Sequence, residues 1–308
     1  MRLATFRGPD GGPRSGVVVG SSGDERIVDL TEASAGAIPA GDLLGLLQGG
    51  PTGLDAARRA ADSDGGRPLT SVELLAPIRR PGKLIAVAGN FQAHIEEGGG
   101  KRVDKSKIVP KLFSKPSSAI SGPGGSVTLP SVSSTLDWEL ELAIVVGTGG
   151  RDIPVERARD HIAGYSVFND ISARTVEWGV EGRQAAGFDE FFDWLNGKWG
   201  DGFAAFGPYI TTTDAVTPDP NDLEMTLKVN GKTWQHGRTG DMIFSPEEII
   251  AFASRFMTME PGDVIAGGTV DGTGDAAGVY LKDGDVMEGT IGDLGTLVTH
   301  VVAGSTGR

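Results

Sequence analysis

The chain has 308 residues, with 28 Lys and Arg against 41 Asp and Glu and a formal net charge of −13. So acidic a chain makes a poor nucleic-acid binder, because phosphate neutralisation needs clustered cations. Its lack of cysteine excludes disulfides, thiolate nucleophiles and Cys-ligated metal sites. No apolar run nears the ~20 residues of a membrane span, and the opening MRLATFRGPDGG lacks the apolar stretch of a secretion signal. The expectation is a cytosolic protein with neither a nucleic-acid nor a membrane partner.

Taken in chain order, the first residues predict a small strand-and-helix unit. Val17–Val19 and Ile27–Leu30 read as short strands. Asp42 is an N-cap candidate for a helix carrying Leu43, Leu44, Leu46 and Leu47, and residues 49–67 predict a second helix. A strand-like run from Val72 to Pro77 leads to Arg79-Arg80-Pro81-Gly82, which places a domain boundary between residues 1–78 and 79–308. Beyond it strands dominate. Lys83–Ala88 and Leu140–Val146 are apolar strands, and Leu223–Val229 alternates with period two before Asn230-Gly231, a strong hairpin signal. Ser245, Pro246, Glu247 and Glu248 predict a capped helix running to Phe256. Further strands follow Gly262-Asp263 and Gly284-Asp285. With no βαβ rhythm, the pattern predicts an α+β, β-rich, largely antiparallel fold.

Three segments carry chemistry. In Asp137-Trp138-Glu139-Leu140-Glu141, strand alternation puts the three acids on one face, and the following Ala-Ile-Val-Val is apolar on both faces, as in a strand entering a core. Carboxylates gathered at such a place repel one another, so either one is protonated or a cation sits among them. The competing reading is the solvated face of an edge strand. An oxygen-only donor set favours a hard ion such as Mg²⁺, Mn²⁺ or Ca²⁺. Gly164–Arg174 is an apolar strand ending in Asn169-Asp170, where Asp170 could complete the acidic set and Arg174 could orient an anionic substrate. In Asn90-Phe91-Gln92-Ala93-His94-Ile95-Glu96-Glu97, His94 and Glu97 lie three apart, neighbours on a helical turn and a candidate general-base pair.

Taken together these segments resemble the fumarylacetoacetate hydrolase family over residues 80–301. The matching motifs run in order: Asn90-Phe91-x-x-His94-x-x-Glu97, Phe113-Ser114-Lys115-Pro116, Asp137-Trp138-Glu139-Leu140-Glu141-Leu142, Asn169-Asp170-Ile171-Ser172-Ala173-Arg174, Lys198-x-x-Asp201-x-Phe203, and Gly268-Thr269. The resemblance implies a mixed β-roll or barrel assembled as a homodimer. It implies a Mg²⁺ ion held by Glu139, Glu141 and Asp170, His94 with Glu97 as the water-activating pair, and Lys198 as the cation beside a developing enolate. On the substrate side it implies Asn90, Phe91, Lys115, Arg174 and Thr269.

The activity so implied is metal-dependent hydrolysis of a C–C bond in an acylpyruvate or related β-diketo acid. Decarboxylation or isomerisation of a β-keto acid such as oxaloacetate is the alternative on the same enolate chemistry, and a non-catalytic ligand-binding member is a second one. The sequence departs from the family pattern at Val270-Asp271 within Gly268–Gly272, at Gly202, at Ala205 and at Glu177. It also carries an aromatic run (Phe188, Phe191, Phe192, Trp194, Trp199) suited equally to a pocket wall or to packing.

Overall fold

The computed structural model describes residues 1–21, 23–61, 65–217 and 219–304. The apolar strands assemble into a 12-stranded mixed sheet and a 5-stranded one. The centre of the large sheet is the antiparallel pair Leu140–Val146 and Ile162–Asp170, in register from Leu140↔Asn169 to Val145↔Gly164, with a shift before Val146↔Ile162. On one side Val264–Thr269 and then Leu84–Ala88 continue it, the latter parallel; on the other, Ala204–Thr212 leads to Arg2–Arg7 through Arg2↔Thr211. Among the described residues the strand path has two ends, so the β-rich mixed fold is as expected but no closed barrel forms.

Why Leu140–Val146 reads as apolar on both faces is clear from its surroundings: every residue of it is buried. Leu140, Leu142, Ile144 and Val146 join a core shared with the second sheet through Met225, Leu227, Ile291 and Leu297. Ala143 and Val145 point the other way, into a core with Phe168, Phe206, Leu3 and Leu43. A period of two between two cores leaves no solvent-facing position.

The second sheet contains the expected hairpin, Glu224–Val229 paired with Lys232–Arg238 around Asn230-Gly231. The helix after Ser245 spans Pro246–Ser254 and starts with a full capping box between Ser245 and Glu248. In the N-terminal region the two expected helices are Leu43–Gln48, capped by Asp42, and Gly50–Ala61; residues 62–64 of the second prediction lie outside the described residues, as do 305–308 at the chain end. The run Val72–Pro77 contributes only Leu74–Leu75 as strand. The aromatic run, for which the sequence indicated no element, is a helix over Phe188–Asn196.

Candidate active site

The carboxylates converge where the central strands end. Glu139 stands just before the Leu140–Val146 strand, and Asp170 closes the neighbouring one. Asn169 fastens the two chains: its Oδ1 accepts the Glu139 N–H at 2.9 Å, while the Asp170 N–H donates to the Glu139 carbonyl at 2.8 Å. Gln235 braces the same point from the second sheet, accepting the Leu140 N–H at 2.9 Å and donating to Thr269 Oγ1 at 2.8 Å. As a result Glu139, Glu141 and Asp170 each bring an oxygen within 4.8 Å of the others, all buried. Asp137 does not join them. The ladder is interrupted at Trp138–Glu139, and the Asp137 carboxylate turns towards Arg174.

Two lysines and an arginine offset part of this charge. Lys198 Nζ donates to Glu139 Oε2 at 2.7 Å and to Asp170 Oδ2 at 2.8 Å, while Lys115 Nζ donates to Asp170 Oδ1. Arg174 Nη1 lies 2.6 Å from Glu139 Oε1. Burial opposes ionisation of Glu139, but Lys198 and Arg174 outweigh it and hold that carboxyl below the usual range. Burial also acts against the charge on Lys198, yet Asp170 and Glu139 raise its pKa. For Lys115 burial dominates and lowers it, helped by the nearby Lys198.

Glu141 is the uncompensated member. Among the described residues its carboxylate accepts only the Gly268 N–H, at 2.7 Å. Burial, then Asp170 and Glu139, push its carboxyl well above the ordinary value. A buried acid pushed towards its neutral form by burial and by its acidic neighbours marks a place where a cation would relieve the field. Gly268 itself has φ +96° and sits where a Cβ would meet Asn90 Cβ at 2.7 Å, so only glycine presents that N–H here. Three hard oxygen donors fit a divalent ion, as the resemblance implied.

Over this cluster lies the short helix Gln92–Glu97. His94 Nδ1 is 2.7 Å from Glu97 Oε1, and Glu97 in turn accepts the Gly272 N–H at 2.8 Å and the Thr273 hydroxyl at 3.1 Å. The helix is thereby latched to the Gly272–Thr273 turn. Burial acts against the Glu97 charge, but His94 and the Gly272 N–H lower its carboxyl below the usual range. A carboxyl depressed on folding adds stability above its unfolded pKa of about 4.3, which is lost as pH falls through the folded value. Glu97→Gln is therefore expected to cost about 1–2 kcal/mol near neutrality, with the gap from the parent closing in acid. Thermal melts of both proteins from pH 7 to pH 3 check this; a gap that stays constant would remove the latch.

A cavity of ≈ 100 Å³ is lined by His94, the three carboxylates, Arg174, Lys198 and Thr269, with Phe113 and Trp194 as aromatic walls. The two rings meet edge to face at 4.8 Å, and Lys198 Nζ stands 5.7 Å and 5.6 Å from their centroids. The aromatic run thus divides: Trp194 closes the cavity, whereas Phe188, Phe191 and Phe192 are exposed. Lys115 reaches the site through Asp170. Asn90 and Phe91 are not brought to the cavity. Asn90 uses its amide on backbone, donating to the carbonyls of Phe244 and Gly267 and accepting the Phe244 N–H, and Phe91 is buried in the core. Sequence reasoning left Trp194 open between pocket wall and packing and carried Phe113 only within the Phe113–Pro116 motif; Gln235 it did not single out as a site component.

A lid bearing a His–Glu pair above a buried, oxygen-only acidic cluster with two lysines defines a metal-site enzyme architecture on a β-rich scaffold. Residues 83–302 match the Fumarylacetoacetate (FAA) hydrolase C-terminal family, and the chain belongs to that family. It is 38% identical over 309 residues to oxaloacetate tautomerase FAHD2A, mitochondrial, from Homo sapiens, covering 98% of this chain and 92% of the relative. Among solved structures it resembles the fumarylacetoacetate hydrolase of Exiguobacterium antarcticum (36% identity, TM-score 0.77, 99% of this chain and 100% of that one). It also resembles maleylpyruvate hydrolase from Sphingobium sp. SYK-6 in complex with manganese(II) ion and pyruvate (34% identity, TM-score 0.76, with the same coverage).

Proposed function

We propose that this protein is a divalent-metal-dependent enzyme that interconverts the enol and keto forms of a small β-keto dicarboxylic acid of the oxaloacetate type. The observation that carries the reading is the ≈ 100 Å³ cavity, which joins the acidic cluster, Lys198 and the His94 ring in one small space. Similarity to an oxaloacetate tautomerase along 98% of the chain supports it. The sequence placed C–C hydrolysis first and enolate-only chemistry second; cavity size and this similarity favour the reverse order. Hydrolysis of an acylpyruvate stands as the second reading, favoured by the Glu97-backed His94, an arrangement suited to activating water.

In this reading Glu139, Glu141 and Asp170 hold the ion, with Mg²⁺ the first choice and Mn²⁺ supported by the manganese complex of a structural neighbour. When bound, the ion supplies Lewis-acid polarisation of the keto oxygen. His94 moves the proton. Its Nδ1 is committed to Glu97, so Nε2 is the ring atom left to exchange with the substrate carbon. Lys198 lends positive charge to the enolate oxygen, Arg174 and Lys115 set the charge balance around the carboxylates, and Thr269 offers its hydroxyl at the cavity wall. Phe113 and Trp194 exclude water, which keeps those charges effective. A homodimer completes the reading, as the family resemblance implied.

The test follows the decay of the enol absorbance of freshly dissolved oxaloacetate with metal-loaded protein, while monitoring pyruvate and CO₂. Acceleration without pyruvate release supports tautomerisation. Relaxation at the buffer rate rejects it, and cleavage of an acylpyruvate into pyruvate and the free acid selects the second reading. Trp194→Ala opens the cavity wall and is expected to shift kcat/KM towards longer acyl chains by about tenfold relative to the four-carbon acid; unchanged ratios across a chain-length series would refute the wall assignment.

A further inference from the structure

The Asp137 carboxylate is completely buried, and all of its hydrogen bonds come from donors around the site. Oδ1 accepts the N–H groups of Trp138 and Gly274, each at 2.7 Å. Oδ2 accepts the Asp275 N–H at 3.0 Å and Arg174 Nε at 2.8 Å. Arg174 Nη2 is also 2.7 Å from Oδ2 but is not aligned to donate. The two donors from Gly274 and Asp275 belong to the turn whose preceding residues, Gly272 and Thr273, latch Glu97. Trp138 ties the same turn again, its Nε1 donating to the Gly272 carbonyl at 3.1 Å. The Arg174 fork that Asp137 holds from one side is the one that reaches Glu139 on the other.

We infer that Asp137 is a positioning residue: it fixes the Gly272–Asp275 turn against the carboxylate strand, and through that turn and Glu97 it sets where His94 stands over the acidic cluster. Two chains of contact leave one carboxylate. One runs through the turn to Glu97 and His94, the other through Arg174 to Glu139. Lid and acidic cluster are thereby given a common reference point within the fold. An amide cannot serve here. Each Asp137 oxygen faces two N–H donors, so either orientation of an asparagine turns its NH₂ against donors and releases one side of the network. The kinetic consequence rests on the function proposed above; the consequence for the lid does not.

The experiment compares Asp137→Asn with the parent by hydrogen exchange and by kinetics on the metal-loaded protein. Amides of residues 92–97 are expected to exchange about tenfold faster while those of Leu140–Val146 keep their protection. The manganese-induced rise in melting temperature should persist. Turnover of oxaloacetate enol should fall about 10- to 100-fold, and in a Glu97→Gln background the added loss should shrink to below about threefold, because both changes break one path. Unchanged lid exchange, or losses that multiply fully in the double variant, overturns the inference. Should Asp137→Asn not fold, Gly274→Ala takes its place: its Cβ would stand 2.6 Å from Asp137 Oδ1 and 2.2 Å from the Val279 carbonyl, displacing the turn while keeping the carboxylate. The same accelerated lid exchange is then expected, and its absence overturns the inference. If no keto acid is turned over, the functional proposal fails and the exchange result still decides this one.

Discussion

Replacing Glu141 by glutamine is expected to abolish metal binding while leaving the metal-free protein as stable as the parent, or more so. Replacing Glu139 in the same way is expected to abolish metal binding and to destabilise. Both acids are buried within one acidic cluster, and the difference lies in their partners. Glu139 balances Lys198 and Arg174, whose charges would remain buried and poorly paired without it. Breaking a buried pair from one side costs about 3–5 kcal/mol. Among the described residues Glu141 makes no ion pair, and burial with two neighbouring carboxylates pushes it towards its neutral form, so a neutral isostere leaves no buried cation without its partner. Its cost without metal should lie within about 1 kcal/mol of zero. Denaturant titrations in EDTA give the stability order, and melts with added Mn²⁺ give the binding, since a ligand bound only by the folded state raises stability by RT ln(1 + [L]/Kd). Equal destabilisation by the two variants would contradict the charge assignment, and a retained Mn²⁺ shift in Glu141→Gln would remove Glu141 from the ligand set.

The second large effect is expected at His94. Its alanine variant should lower kcat by about 10²- to 10⁴-fold, the span typical of a lost general acid–base group. It should keep the metal-induced stabilisation of the parent, because the imidazole belongs to the lid, whereas the carboxylates proposed to hold the ion lie on or beside the central strands. Glu97→Gln, which keeps the ring but not its charged partner, should fall between the two. Enol–keto relaxation and acylpyruvate cleavage, measured on the same preparations, would show whether one proton carrier serves both reactions. Full turnover by His94→Ala in either assay removes the lid histidine from that chemistry.

The same pair of regions shows where sequence reasoning stops. Asp137, Glu139 and Glu141 occupy alternate positions, and alternation alone gives them one face. The chain leaves its ladder at Trp138–Glu139, so Asp137 is captured by Arg174 and the Gly274 turn while Glu139 and Glu141 turn inward. That break depends on Asn169 and Gln235, which lie 30 and 96 positions from Glu139 and compete for its local backbone groups. Asn90 illustrates a related limit. The family resemblance implied a substrate contact for it, whereas its amide closes three backbone bonds to the Phe244 and Gly267 segments. A polar side chain beside unsatisfied buried backbone is drawn there first, and no spacing rule identifies that backbone in advance.

Periodicity, turn chemistry and residue type were enough to find the apolar central strands, the Asn230-Gly231 hairpin and the Ser245 cap, because those features depend on neighbours a few positions away; the donor set of Glu139, Glu141 and Asp170 came from the family resemblance. The pairing of Lys198 with two acids, the isolation of Glu141, the Trp194 wall and the latch from Glu97 to Gly272 were decided only by the tertiary structure. Each is a balance of charge or volume between segments from 28 to 175 positions apart, or between side chains whose facing depends on a helix that aromatic composition alone did not announce. Local backbone preference acts along the chain, whereas burial and Coulomb forces act through space, and the site is built almost wholly by the second kind.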